Sequence, residues 1–187
     1  MKTNYFCFVL ALGMFVLGAC KQIDKASTIS VSVPDFTVDI PVTVSSVNAS
    51  SALRADGDFR DFSGSAIIDV NDPNFAELAK YRDMITSVSV GTASVTMNSS
   101  SGSTAKNITL SATGVTPDFT ISSYTLGTDY SLPELVTYAD KVFNQVVKAG
   151  SLTVSASGQT DIDAAADQVT LSIHFGGIQV KAQLVNL

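Results

Sequence analysis

From Ile29 to Val44, apolar and polar residues alternate, and no other feature constrains the fold of this chain as tightly. Ile29, Val31 and Val33 alternate with Ser30 and Ser32. Phe36, Val38, Ile40, Val42 and Val44 then alternate with Thr37, Asp39, Pro41 and Thr43. A period of two sends one set of side chains to a buried face and the other to solvent, which is the pattern of a half-buried strand. Pro34 and Pro41 cannot donate to a ladder, so they predict edge strands or a bulge. Similar runs predict strands over 65–70, 87–97, 107–113, 118–123, 151–156, 169–175 and 178–185. Gly176-Gly177 reads as a two-residue hairpin turn. That turn would pair Phe175 with Ile178, Ile173 with Val180, Leu171 with Ala182 and Val169 with Leu184, apolar against apolar on one face.

Two segments switch to helical spacing. The first starts near Asp72-Pro73 and carries Phe75, Leu78, Tyr81, Met84 and Ile85 on one side. The second starts at Ser131, with Glu134 completing a capping box. Leu135, Val136, Ala139, Val142, Phe143 and Val146 form its apolar stripe, and Gly150 is its stop. Glu77-Leu78, Tyr81 and Asp83 recur as Glu134-Leu135, Tyr138 and Asp140, and Ser94-Val95-Thr96 resembles Ser151-Leu152-Thr153. The recurrence is either an internal duplication of a helix–strand unit or coincidence. The expected fold is therefore mainly β: an antiparallel β-sandwich-like domain with two amphipathic helices on it or at its ends. Residues 98–106 and 47–61 read as irregular surface stretches.

The N-terminus has a different character. Lys2 precedes an uncharged apolar run from Tyr5 to Leu17 that closes on small residues. This is the charged, hydrophobic and cleavage-site order of a secretory signal. Leu17-Gly18-Ala19-Cys20 resembles the lipobox of bacterial lipoproteins. The resemblance covers about the first twenty residues. It implies cleavage before Cys20, acylation of Cys20 and a membrane anchor through those acyl chains. Lys21, where an aspartate would favour inner-membrane retention, fits an outer-membrane sorting pattern. The organisation implied is a signal peptide at 1–19, a lipidated tether at 20–27 and a β-rich domain at 28–187. The family of that domain is not recognisable from its sequence.

Cys7 and Cys20 are the only cysteines. One leaves with the signal and the other is acylated, so the mature domain must hold together by packing alone. A net charge of −6 disfavours nucleic acid as a partner, because phosphates would be repelled.

Few residues suggest chemistry. His174 is the single histidine; it is in phase with Thr170 and Ser172, away from the apolar face, and reads as a surface residue. Without a second histidine or a free cysteine, nucleophilic triads and zinc sites lack most of their parts. Asp56, Asp58 and Asp61 are weak candidates for a calcium site, though Arg60 stands where a further ligand would be expected. Asp161, Asp163 and Asp167 form a second acidic cluster, and solvated loops account for both. Gly176-Gly177 lacks the helix and Lys-Ser/Thr of a phosphate loop. No cofactor and no catalytic residue are expected. The leading expectation is a non-enzymatic, lipid-anchored envelope module with a structural, adhesive or assembly role. The alternative is a surface lipoprotein that binds a glycan or a lipid; a lipid would need a cavity beneath Phe75, Leu78, Leu135 and Phe143. A carboxylate-based hydrolase is the third option, and it would need the Asp56 and Asp161 groups to meet.

Overall fold

The computed structural model describes residues 28–45, 59–75, 82–98, 103–162 and 169–183. Among these residues, ten strands and one long helix run in the order β1 (Thr28–Val33), β2 (Phe36–Val44), β3 (Arg60–Asp69), β4 (Ile85–Ser89), β5 (Thr92–Asn98), β6 (Thr104–Ala112), β7 (Phe119–Thr125), α1 (Pro133–Ala149), β8 (Ser151–Thr160), β9 (Val169–Gly176) and β10 (Ile178–Gln183). They form two antiparallel sheets. The smaller has the order β1-β10-β4 and the larger the order β5-β9-β2-β3-β8-β6-β7.

The alternation in 29–44 is used as expected, with Val33, Val38, Ile40 and Val44 buried. The C-terminal hairpin does not form. β9 pairs with β2 and β5, whereas β10 pairs with β1 and β4. Gly176-Gly177 is therefore not a hairpin turn but a bend that carries the chain from one sheet to the other. The same happens at Pro34-Asp35, between β1 and β2, and at Val90-Gly91, between β4 and β5. The order β1-β10-β4 matches β2-β9-β5, so the same three chain segments run through both sheets and bend together. Sidedness was correctly legible (Leu171, Ile173, Ile178 and Val180 are all buried), but a shared period cannot distinguish a fold-back from a bend.

The expected strand over 87–97 is divided by this bend. Pro41 also departs from expectation, because β2 lies inside the large sheet. It is tolerated because β3 pairs with β2 only from Val42 to Val44, so no ladder bond to β3 is needed at position 41. Beyond β7 the chain returns to β5. Tyr130 and Val95 exchange both backbone hydrogen bonds, at 2.8 and 2.9 Å. The Met97 N–H donates to the Tyr124 hydroxyl at 3.0 Å, and that hydroxyl donates to the Thr128 carbonyl. The first and last strands of the large sheet are thereby drawn together.

α1 lays Leu135, Tyr138, Ala139, Val142, Phe143 and Val146 on the core. Its expected capping box is absent: Leu132 is the N-cap and makes no side-chain capping bond. The Ser131 hydroxyl donates instead to the Ala93 carbonyl at 2.9 Å, tying the helix start to β5. Pro133 opens the helix, and Gly150 closes it with φ 85°. The other expected helix, from Asp72-Pro73 to Ile85, is not supported: 3-10 turns occupy Pro73–Phe75 and Arg82–Met84, Ile85 already opens β4, and 76–81 lie outside the described residues. The duplication is not supported. β8 follows α1 directly into the middle of the large sheet, while β5 is reached through β4 and the bend and pairs with β9. The two supposed copies thus sit in different surroundings.

The core is one continuous cluster. Phe36, Phe75, Phe143 and Phe175 meet at its centre, with Phe36 edge-on to Phe75 at 4.7 Å and Phe143 edge-on to Phe175 at 5.0 Å. Phe62 packs over Gly158, where a Cβ would lie 2.8 Å from the ring. Beneath α1 lies a cavity of about 10 Å³, lined by Leu135, Tyr138, Val142, Val154 and Phe175 among others.

α1 also covers a sheet edge. β4 is an outer strand of the small sheet, and outer strands expose unpaired backbone groups. Asn144 accepts the Val88 N–H at 3.0 Å and donates to the Val88 carbonyl at 2.8 Å. Asp140, one turn earlier, accepts the Val90 N–H at 2.6 Å. Two helical side chains thus take the place of a neighbouring strand.

Replacing Asn144 with Ala leaves both Val88 groups unpaired in a half-buried setting. A loss of about 1–3 kcal/mol in urea unfolding is expected, and an unchanged midpoint would show that water serves as well. Tyr138 provides the opposite case. Its hydroxyl is buried without a hydrogen-bond partner, and burial, helped by the nearby Asp118 carboxylate, pushes its pKa up to about 12. Tyr138→Phe is expected to be neutral or to stabilise by about 1 kcal/mol at neutral pH, since a polar group without a partner is removed. An unfolded tyrosine ionises near pH 10. The folded state therefore retains its proton longer, and the wild type loses stability as pH rises from about 10 to about 12. The variant should lack that loss; an identical alkaline decline in both proteins would refute the assignment.

Candidate functional site

The outward side of β5, β9 and β2 is polar because its residues occupy the alternate phase to the core. Register sets them in rows. Ser94, His174 and Thr37 lie side by side, and Thr96, Ser172 and Asp39 form the next row. Thr37 Oγ1 and His174 Nδ1 share a hydrogen bond of 2.8 Å. The Ser172 hydroxyl donates to Asp39 Oδ1 at 2.6 Å, and the Thr96 hydroxyl donates to Asp129 Oδ1 at 2.5 Å. At the bend, the Gly177 N–H donates to Asp35 Oδ1 at 3.0 Å. These bonds engage one oxygen of each of the carboxylates Asp35, Asp39 and Asp129.

The rows end at a groove of about 500 Å³ along the bend. Asp35, Thr37, Thr92, Ser94, Asp129 and His174 supply its polar lining. Gly176 forms part of its floor, and its φ is not in the left-handed region that demands glycine. Space is the reason for glycine here: a Cβ would stand 2.7 Å from Thr92 Oγ1 and 3.2 Å from the Asp35 carboxylate. A second hollow of about 410 Å³ adjoins the first, sharing Thr92 and Ser131, and continues over Leu132, Pro133 and Val136. Leu132 is 40% exposed there, against 70% for Ile67 elsewhere on the surface, and these are the exposed large apolar residues among the described ones.

The residues singled out in the sequence are differently placed. His174 is exposed and faces outward, as its phase implies. Asp61 lies on β3, exposed, and accepts the Gln159 amide at 3.0 Å. Asp56 and Asp58 lie outside the described residues, as do Asp163, Asp167 and Cys20. Asp161 does not stand free in a loop: its carboxylate accepts the Thr104 N–H at 2.8 Å and the Thr104 hydroxyl at 3.0 Å, fastening β8 to β6. Among the described residues, no group of three or more His, Cys, Asp or Glu is arranged to hold a metal. Asp35 and Asp129 were not singled out by sequence. Asp35, following Pro34, carried a turn signal, but nothing placed it beside His174 and Asp129.

No protein-family model matches the chain, and none of the curated proteins does. Among solved structures, a chain of Desmodium yellow mottle tymovirus aligns over 87% of this chain and 86% of its own, at 11% identity and a TM-score of 0.36. That likeness is too loose to carry an argument about fold or function.

The crowded floor yields a coupled expectation. Gly176→Ala should cost about 1–3 kcal/mol by overpacking, and adding Thr92→Ala to it should recover most of the loss. Additive losses in the double variant would place the strain in the backbone instead.

Proposed function

We propose that this chain is a lipid-anchored envelope lipoprotein whose β domain serves as a non-enzymatic structural, adhesive or assembly module. The observation that carries the reading is the N-terminal order of Lys2, apolar run and Leu17-Gly18-Ala19-Cys20. Acyl chains on Cys20 would hold the domain at the bilayer, each buried methylene contributing about 0.8 kcal/mol. β1 begins at Thr28, so only a short stretch separates the anchor from the first strand. Lys21 favours the outer membrane as the destination.

The small cavity beneath the middle of α1 favours this module over a carrier that seats a lipid there. Ligand pockets hold about 300–1,000 Å³, and the cavity lined by Leu135, Tyr138, Val142 and Phe175 holds about 10 Å³. A second reading, a surface lipoprotein that binds a polar ligand, is favoured by the groove at the bend.

The test is to express the precursor and its Cys20→Ala variant in a bacterial host, fractionate the membranes and weigh the mature N-terminal peptide. The expected result is an acylated Cys20 peptide in the outer-membrane fraction of the wild type only. A wild-type chain released without acylation would overturn the anchor.

A further inference from the structure

We propose that the groove at the bend binds an extended partner segment in which a lysine or arginine stands next to an aliphatic residue. This deepens the assembly reading above by giving the chemistry of the partner. Charge complementarity carries it. Asp35 and Asp129 line the polar hollow, and among the described residues no Lys or Arg does. The chain as a whole is acidic at −6, so the groove attracts cations and repels phosphate or sulfate. Each carboxylate has one oxygen occupied by a bond from within the fold, to Gly177 or Thr96. Oδ2 of each can accept from a ligand without moving the side chain, which lowers the ordering cost of binding.

The adjoining hollow sets the second half of the specificity. Leu132, Pro133 and Val136 give it an apolar surface continuous with the polar hollow through Thr92 and Ser131. A cationic head would lie in one hollow while a neighbouring aliphatic side chain covers Leu132. Glycans fit less well. Sugar rings are usually held on exposed aromatic faces, but the aromatic residues at this groove are Phe36 and Phe175, and Phe175 is 5% exposed. The Gly176 floor keeps the hollow deep at the point where any side chain would meet Thr92 and Asp35.

The experiment uses the detergent-solubilised full-length mature protein and fluorescence anisotropy with a labelled peptide of alternating lysine and leucine. Binding is expected and should weaken as salt rises. Asp35→Asn and Asp129→Asn should each weaken it about tenfold, as loss of a charge-assisted bond implies. Leu132→Ser should weaken it about fivefold. Asp83→Asn removes a charge from an exposed 3-10 turn and should leave binding unchanged. Thermal melts of all four variants confirm folding. Four results would overturn the proposal: no binding at about 1 mM peptide, equal binding of a glutamate–leucine peptide, equal losses in Asp83→Asn, or preferential binding of a neutral oligosaccharide. Acylation of Cys20 is read separately by mass, so failure of the groove and failure of the anchor give different results.

Discussion

At the bend, the backbones of Gly91 and Gly177 pass so close that a Cβ on Gly91 would lie 3.2 Å from the Gly177 carbonyl oxygen. The Gly91 N–H donates to the Gly176 carbonyl at 3.0 Å at the same place. This close approach lets three neighbouring segments change sheet along one line. The small sheet and the first three strands of the large one are thus continuations of each other. Their inner faces meet the aromatic cluster of Phe36, Phe75, Phe143 and Phe175, and α1 spans both. On the outward side the same bend opens the groove. Core and surface hollow are two results of one backbone constraint.

Polar side chains carry much of the architecture. Asp140 and Asn144 stand in for a strand beside β4, Asp161 joins β8 to β6, and Asp35 braces the bend through Gly177. Each satisfies backbone groups that would otherwise be left without partners. An acidic composition in such a chain reflects these internal duties as well as solubility. The aspartates at the groove, Asp35 and Asp129, differ in that they also line a hollow of the surface.

Local patterns were legible in the sequence, and global pairings were not. The phase of Val38, Ile40, Leu171 and Ile173 identified the buried face, and the 135–146 stripe identified α1. The partner of β10 was misread, because Gly176-Gly177 satisfies the requirements of a hairpin and of a sheet-to-sheet bend equally well. Ser131 and Glu134 had the spacing of a capping box, yet the Ser131 hydroxyl found the Ala93 carbonyl, a partner that only the folded state brings near. The site was mostly hidden for the same reason. Asp35, Asp129 and His174 are far apart in sequence and are brought together by a register that no local rule encodes.

The edge of β4 has a temporal aspect. Its covering residues, Asp140 and Asn144, emerge from the ribosome well after Val88 and Val90, and its strand partner among the described residues, β10, comes later still. β9, which separates β5 from β2, is equally late. Chains fold from the N-terminus as they are made, and long-range pairing slows folding. Neither sheet can therefore be completed before β9 and β10 are made: β1, β2, β4 and β5 lack these neighbours until the two strands arrive. The same two consecutive strands close both sheets, so completion of one is tied to completion of the other.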